Sequence, residues 1–108
     1  MVYLVNNVWY PSDKSPEVGK KYIEVLKKFP PDKSLGKTLL VMVRPTKEGI
    51  HVIGIGKIAK GKLEENILRT TKSNEEFTDI DGFTYEIQTF LDYTEAYQVI
   101  DMKPPEEI

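Results

Sequence analysis

The chain has 108 residues, of which 40% are hydrophobic and 30% are charged, as is typical of one compact domain. Its 15 basic and 17 acidic residues give a formal net charge of −2, so it lacks the concentrated positive field that duplex nucleic acid requires. The absence of cysteine excludes disulfides, thiol nucleophiles and cysteine-based zinc or iron–sulfur sites. With a single histidine and no regular spacing of carboxylates, we expect neither a metal site nor a bound cofactor.

The sequence also predicts where the protein is located and where its domain begins and ends. Residues 1–10 lack the basic region and the cleavage site of a secretory signal. No stretch reaches the roughly 20 apolar residues of a membrane span. We therefore expect a cytoplasmic protein that binds neither membranes nor nucleic acid. Residues 1–103 are predicted to form a single domain, and residues 104–108 a frayed tail.

The first two elements have clear patterns. Residues 2–10 place apolar side chains on both faces of a strand, which is typical of a strand covered on both sides. Ser15 is a predicted N-cap, and Pro16 suits the first position of a helix that stops at Pro30-Pro31. The apolar residues of this helix recur at spacings of three and four, as one buried face requires: Val18, Tyr22, Val25, Leu26 and Phe29.

Two strands joined as a hairpin are predicted next. Residues 38–44 form a short apolar run, and a turn that ends at Gly49 leads into a strand over residues 50–60. Gly54 and Gly56 share one face of that strand, where missing side chains leave a groove for a ligand or a partner backbone. Their spacing differs from that of a phosphate-binding loop. We therefore favour close packing, or room in a cavity, over phosphate contact.

A second helix is predicted over about residues 62–77, and its inner face is unusual. That face is apolar at its two ends and carries hydroxyl and amide groups in its middle: Leu63, Ile67, Thr70 or Thr71, Asn74 and Phe77. Buried polar groups need hydrogen bonds, so such a stripe often lines a cavity. The alternative is a rotated helix on which Leu68 carries the packing.

The fourth strand completes a recognisable order. Residues 83–92 alternate as a strand does, and Asp92 or Thr94 is expected to cap a short helical turn ending at Ile100. The order β-α-β-β-α-β predicts an α+β, ferredoxin-like fold, with an antiparallel sheet and two helices on one face. Because the first three strands are apolar on both faces, the uncovered face would be a large exposed patch. A second copy packed sheet against sheet would cover it, so we predict a homodimer.

The chain resembles the dimeric α+β-barrel superfamily, in which two ferredoxin-like protomers pack their sheets together. The resemblance rests on the order of elements over almost the whole chain. It also rests on the helix start KGKLEEN, residues 60–66, and on the strand DGFTYEI, residues 81–87. The closest likeness is to small, uncharacterised members. The superfamily includes cofactor-independent monooxygenases, haem-handling enzymes, dehydratase-like isomerases and small-molecule-sensing regulators, so the resemblance restricts function little.

Candidate functional residues come from the polar and aromatic side chains. His51 is the natural general acid or base, because histidine titrates near neutrality, although a structural, hydrogen-bonded role is the common alternative for a lone histidine. A pocket for a flat apolar ligand would use aromatic residues with a few polar groups to orient the ligand. The predicted ligand-binding residues are Tyr3, Asn7, Trp9, Arg44, Asn74 and Tyr85.

Three functions remain open. The leading hypothesis is a homodimer that binds a small apolar or aromatic molecule in a cavity between the sheet and the helices. The first alternative is a cofactor-independent enzyme of the monooxygenase or isomerase type that uses His51. The second alternative is a non-catalytic module for self-association or regulation. No motif in the sequence chooses among the three.

Overall fold

A computed structural model describes residues 1–107, and its elements follow the predicted order. They are β1 (Val2–Tyr10), α1 (Ser15–Lys28), β2 (Gly36–Thr46), β3 (Gly49–Ile58), α2 (Leu63–Glu75), β4 (Thr84–Leu91) and α3 (Tyr93–Val99). The strands form one antiparallel sheet in the order β2-β3-β1-β4. The predicted ferredoxin-like fold is therefore confirmed. The frayed tail predicted over 104–108 stays a prediction, and its residue 108 lies outside the described residues.

The N-termini of α1 and α3 show which residues cap these helices. Ser15 is the first residue of α1 rather than its N-cap, and its hydroxyl donates to the Ser12 carbonyl at 2.9 Å. Asp92 caps α3 by accepting from the Thr94 backbone N–H at 3.1 Å, and Glu95 completes a capping box. No helix within residues 1–107 has the length and apolar character needed to cross a membrane.

The hairpin of β2 and β3 extends further than its sequence suggests. The predicted end of this strand at residue 44 is wrong, because β2 continues through Pro45 to Thr46. Proline is tolerated there since β2 lies at the edge of the sheet, where one side of the strand has no neighbour to pair with. Gly49 closes the turn with a φ of 140°, and a Cβ at this position would lie 2.5 Å from the Tyr10 carbonyl oxygen. The turn therefore requires glycine at residue 49.

The sheet has a helix face, on which α1 and α2 pack, and a far face on the opposite side. The main buried cluster lies on the helix face and consists of Val25, Phe77, Ile80 and Phe83, and Leu4 and Ile58 are buried on the same face apart from it. Val8 and Tyr10 of β1 pack against this core, so alternate residues of β1 point to the far face. The core sits over β1 and β4, at one end of the helix face.

The helices leave much of the hairpin uncovered. The consecutive apolar residues 39–43 of β2 are each between 42% and 63% exposed. The radius of gyration is 15.9 Å, whereas a compact chain of this length has a value of about 13 Å. The chain is therefore extended, and it exposes apolar residues on both faces of β2.

The rotation of α2 distinguishes the two interpretations of its polar stripe. Asn74 is only 4% exposed, whereas Leu68 is 54% exposed. The interpretation in which Leu68 carries the packing is therefore wrong. Asn74, in the polar middle of the predicted inner face, points to the sheet, where its side chain exchanges hydrogen bonds with that of Asn6 in β1.

Truncation of Leu68 on α2, with the core residue Phe77 as the reference, tests the assigned rotation of the helix. Phe77→Ala should lower the free energy of unfolding by about 3 kcal/mol or more, because it leaves a cavity in the small core. Leu68→Ala should change it by less than about 0.5 kcal/mol, because Leu68 lies at the surface. Urea denaturation followed by circular dichroism measures both values. Similar losses in the two variants would contradict the assigned rotation.

Candidate functional site

A cleft of about 950 Å³ opens between α1, α2 and the helix face of the sheet. Gly54 and Gly56 of β3 form part of its floor. A Cβ at Gly54 would have no neighbouring atom within 4 Å, and one at Gly56 would meet only backbone oxygens at 3.8 and 3.9 Å. The groove predicted from these two glycines is therefore present, and it faces the helices.

The wall formed by α1 is apolar. Tyr22, Leu26 and Phe29 line the cleft from this helix, and their spacings of four and three residues place them on one helical stripe. Leu4 and Ile58 continue the apolar surface at the base of the cleft. This wall offers one aromatic and aliphatic surface along the cleft.

The wall formed by α2 is polar. Asn66, Arg69, Thr70 and Ser73 line the cleft from this helix, again at spacings of three and four residues. The side of α2 that faces the cleft therefore carries amide, guanidinium and hydroxyl groups. The cleft is amphipathic, with apolar groups on one side and hydrogen-bonding groups on the other.

The segment 30–35, which joins α1 to β2, borders the cleft and is held by two residues of α2. The Asn66 side chain donates to the Leu35 carbonyl at 2.8 Å. The Arg69 guanidinium donates to the Pro30 carbonyl and lies 6.0 Å from the centre of the Phe29 ring. These contacts fix the distance between the segment and the polar wall.

Asp32 is the acidic side chain in that segment. Its carboxylate accepts hydrogen bonds from the Ser34 hydroxyl at 2.6 Å and from the Ser34 backbone N–H at 3.0 Å. These two bonds, the hydroxyl bond above all, hold the pKa of Asp32 below its usual value. Asp32 is therefore a fixed negative charge at this end of the cleft.

Two asparagines connect β1 to α2 beside the cleft. The Asn6 amide donates to the Asn74 oxygen at 3.0 Å, and the Asn74 amide donates to the Asn6 oxygen at 2.8 Å. Each amide therefore satisfies the other, which removes most of the cost of placing polar groups between helix and sheet. Asn6 lines the cleft, but we did not predict it as a site residue. Its position in the middle of an apolar strand was the available signal.

Tyr85 also lies on the helix face, where its ring packs near the core. Its hydroxyl donates to the Glu75 carboxylate at 3.0 Å. Burial first, and then the bond to Glu75, raise the pKa of Tyr85 above its usual value. Neither Tyr85 nor Asn74 lines the cleft itself, although Asn74 holds Asn6, which does.

The other predicted polar residues meet on the far face. The Arg44 Nε donates to Nδ1 of His51 at 3.1 Å, so Nε2 carries the proton of the neutral ring and donates to the Asn7 oxygen at 3.1 Å. The Asn7 amide then donates to the Gln88 oxygen at 2.9 Å. The Trp9 indole stacks on the imidazole, with ring centres 4.9 Å apart and planes 8° apart.

This network uses both ring nitrogens of His51. The ring is also only 9% exposed, under Trp9 and beside Asn7. A general base needs a free lone pair within reach of its substrate, and in this arrangement the Nδ1 lone pair accepts from Arg44. A catalytic role for His51 stays a prediction.

The structure does not bring the predicted residues to one place. Asn7, Trp9 and Arg44 join His51 on the far face, whereas Asn74 and Tyr85 lie on the helix face. Tyr3 is on the far face but apart from the His51 network, with its hydroxyl bonded to Asp92 at 3.3 Å. Burial and the Asp92 charge raise the pKa of Tyr3. Within residues 1–107, no cluster of three histidine or acidic side chains could hold a metal ion.

Two solved structures share the fold. A Deinococcus radiodurans protein assigned as an antibiotic biosynthesis monooxygenase has a TM-score of 0.57 at 10% sequence identity, and the match covers 85% of this chain and 92% of that one. The de novo designed protein Foldit4 has a TM-score of 0.56 at 17% identity, and the match covers 84% of this chain and 97% of the design. No protein-family profile and no curated sequence matches the chain.

These likenesses agree with the fold expected from the resemblance to dimeric α+β-barrel proteins. The chain has a ferredoxin-like architecture, with α1 and α2 on one side of an antiparallel sheet. Identities of 10% and 17% show the fold alone. Because one of the two proteins is a de novo design, the fold by itself does not determine an activity.

A double-mutant cycle tests the asparagine pair. Asn74→Ala should lower the free energy of unfolding by about 1–3 kcal/mol, because it leaves the partly buried Asn6 amide unpaired. Removal of both side chains should cost less than the sum of the single losses, with a coupling of about 1 kcal/mol. Urea denaturation of the four proteins measures the coupling. Additive losses would mean that the two amides do not interact in solution.

Proposed function

We propose that this protein binds small, largely apolar molecules in the cleft between its helices and its sheet. The observation that carries the proposal is the glycine floor. At Gly54 and Gly56 the sheet has no side chains beneath the gap between α1 and α2. A helix that packs closely on a sheet needs side chains there, whereas a site for a ligand needs the space.

The size and the surface of the cleft suit such a ligand. Its volume of about 950 Å³ lies within the range of roughly 300–1,000 Å³ of small-molecule sites. The apolar wall, with Tyr22 and Phe29, can take a flat or aliphatic body, and the polar wall of α2 can orient it. A few polar groups in an otherwise apolar site are the usual arrangement of ligand pockets.

The proposal extends to a homodimer, in which the second copy covers the far face. The centre of that face is apolar, because the strand register brings Met42, Ile53, Ile55 and Val5 together on it. Such a surface is commonly covered by a second copy of the chain, related by a two-fold axis and packed sheet against sheet. The extended shape of the single chain also supports a partner that contacts the hairpin.

The proposal contains no catalytic step. The structural neighbour from Deinococcus radiodurans is assigned as a monooxygenase, and a cleft for an organic molecule is compatible with that chemistry. A base must lie within hydrogen-bond reach of its substrate, but His51 is on the far face, behind the sheet that floors the cleft. We therefore propose binding as the function, with the far-face network as a structural element.

Filling the floor of the cleft tests the binding proposal. Gly54→Val should lower the affinity for the neutral fluorescent probe N-phenyl-1-naphthylamine about tenfold, because the new side chain occupies the cleft. The fold should persist and gain up to about 1 kcal/mol of stability, since glycine inside a strand is unfavourable. Fluorescence titration and thermal unfolding measure the two effects.

Gly19→Ala is the matched control, because residue 19 is an exposed position in α1 with open space around it, and it does not line the cleft. It should also stabilise the protein, by about 1 kcal/mol, and leave probe binding unchanged. Unchanged binding in Gly54→Val, or no binding to the wild type, would refute the proposed site.

Two neighbouring substitutions on β2 test the dimer. Light scattering should give the wild type about twice the chain mass of 12.4 kDa. Met42→Lys should shift it to a monomer, because residue 42 lies on the far face and a buried, unpaired charge is costly. Val43→Lys is the control, since residue 43 points to the other face of the same strand and is 63% exposed. A wild-type monomer would contradict the dimer.

A further inference from the structure

We propose that the ligand of the cleft is an anion, an apolar body that carries one carboxylate, and that Arg69 binds its charge. This inference rests on the proposed function of the cleft and specifies the class of molecule bound there. It is derived from three features of the polar wall. They are the spare N–H donors of Arg69, the neighbouring hydroxyl groups and the balance of charge around the cleft.

The first feature is the state of the Arg69 guanidinium. Arg69 is partly buried and lines the cleft. None of the ion pairs among residues 1–107 includes it. Its hydrogen bond to the Pro30 carbonyl uses only one of its five N–H donors. A partly desolvated cation with spare donors favours an anionic partner, and a carboxylate matches the planar geometry of the guanidinium.

The second feature is the pair of hydroxyl groups on the same stripe. Thr70 and Ser73 line the cleft beside Arg69, and neither side chain has a hydrogen-bond partner among residues 1–107. By contrast, the hydroxyl of Thr71, one residue further along the helix, donates to the Ile67 carbonyl at 2.7 Å. The Thr70 and Ser73 hydroxyls can therefore donate to a ligand oxygen, while the apolar wall of α1 faces them across the cleft.

The third feature is the balance of charge, which favours a single negative charge on the ligand. Besides Arg69, the charged side chains that line this end of the cleft are Asp32 and Lys33, and the nearby Arg69 charge helps to lower the pKa of Asp32. Lys37 and Lys57 border the floor, but the register places their side chains on the far face with Tyr3. One unit of positive charge therefore remains, which suits a carboxylate better than a dianionic phosphate.

Two probes of the same shape test the inference. Isothermal titration should show that the wild type binds 2-naphthoate about tenfold more tightly than the neutral 2-naphthalenemethanol, because only the anion pairs with Arg69. Arg69→Gln should abolish this preference and retain an amide donor for the Pro30 carbonyl. Lys72→Gln removes the same charge from an exposed position of α2 outside the cleft. It should keep the preference.

The neutral probe N-phenyl-1-naphthylamine separates the two proposals. If it binds the wild type but naphthoate binds no more tightly than the alcohol, the anion inference is overturned and the proposed cleft stands. If no probe binds, both fail. If Arg69→Gln also weakens the neutral probe, Thr70→Val decides, since it leaves the contact to Pro30 in place. It should reduce naphthoate binding severalfold more than alcohol binding, and equal reductions would overturn the inference.

Discussion

The structure depends on one constraint, which is that two helices cannot cover both faces of a four-stranded sheet. The sheet carries apolar residues on its helix face and on its far face, and α1 and α2 pack on one of them. Even there the main core cluster lies at one end of the face. Burial of apolar surface is the main stabilising term of a fold, and the proposed ligand and the proposed second copy would each cover apolar parts of this sheet that the helices leave open.

The two faces use polar residues in different ways. On the helix face, Asn6 and Asn74 satisfy each other and hold α2 at a fixed position over β1. Beside this pair, the side of α2 with Asn66, Arg69, Thr70 and Ser73 faces the cleft. On the far face, His51 is the centre of a closed network from Arg44 to Gln88. Thus the polar groups of the His51 network are bonded to each other, whereas the Thr70 and Ser73 hydroxyls in the cleft have no hydrogen-bond partner in the described chain.

Most of the fold could be predicted, and the site only in part. Alternation in the strands and the helical stripe of α1 predict the order of elements, with bounds within two residues of those observed. The glycines of β3 predict a groove, because missing side chains on one strand face leave space wherever that face points. The sequence did not show which residues share a face across strands. The predicted set therefore mixed Asn7 and Trp9 of the far face with Tyr85 of the helix face.

The sequence by itself determined the chemistry that this protein can use. It has no cysteine and one histidine, it carries more apolar strand residues than one layer of helices can bury, and the second helix has a polar stripe. Only the tertiary structure decided the rotation of α2, the enclosure of His51 and the place of the cleft above the two glycines. The physical reason is that local patterns depend on the spacing of side chains along one element. Strand register and helix rotation instead depend on contacts between residues far apart in the chain, such as Asn6 and Asn74.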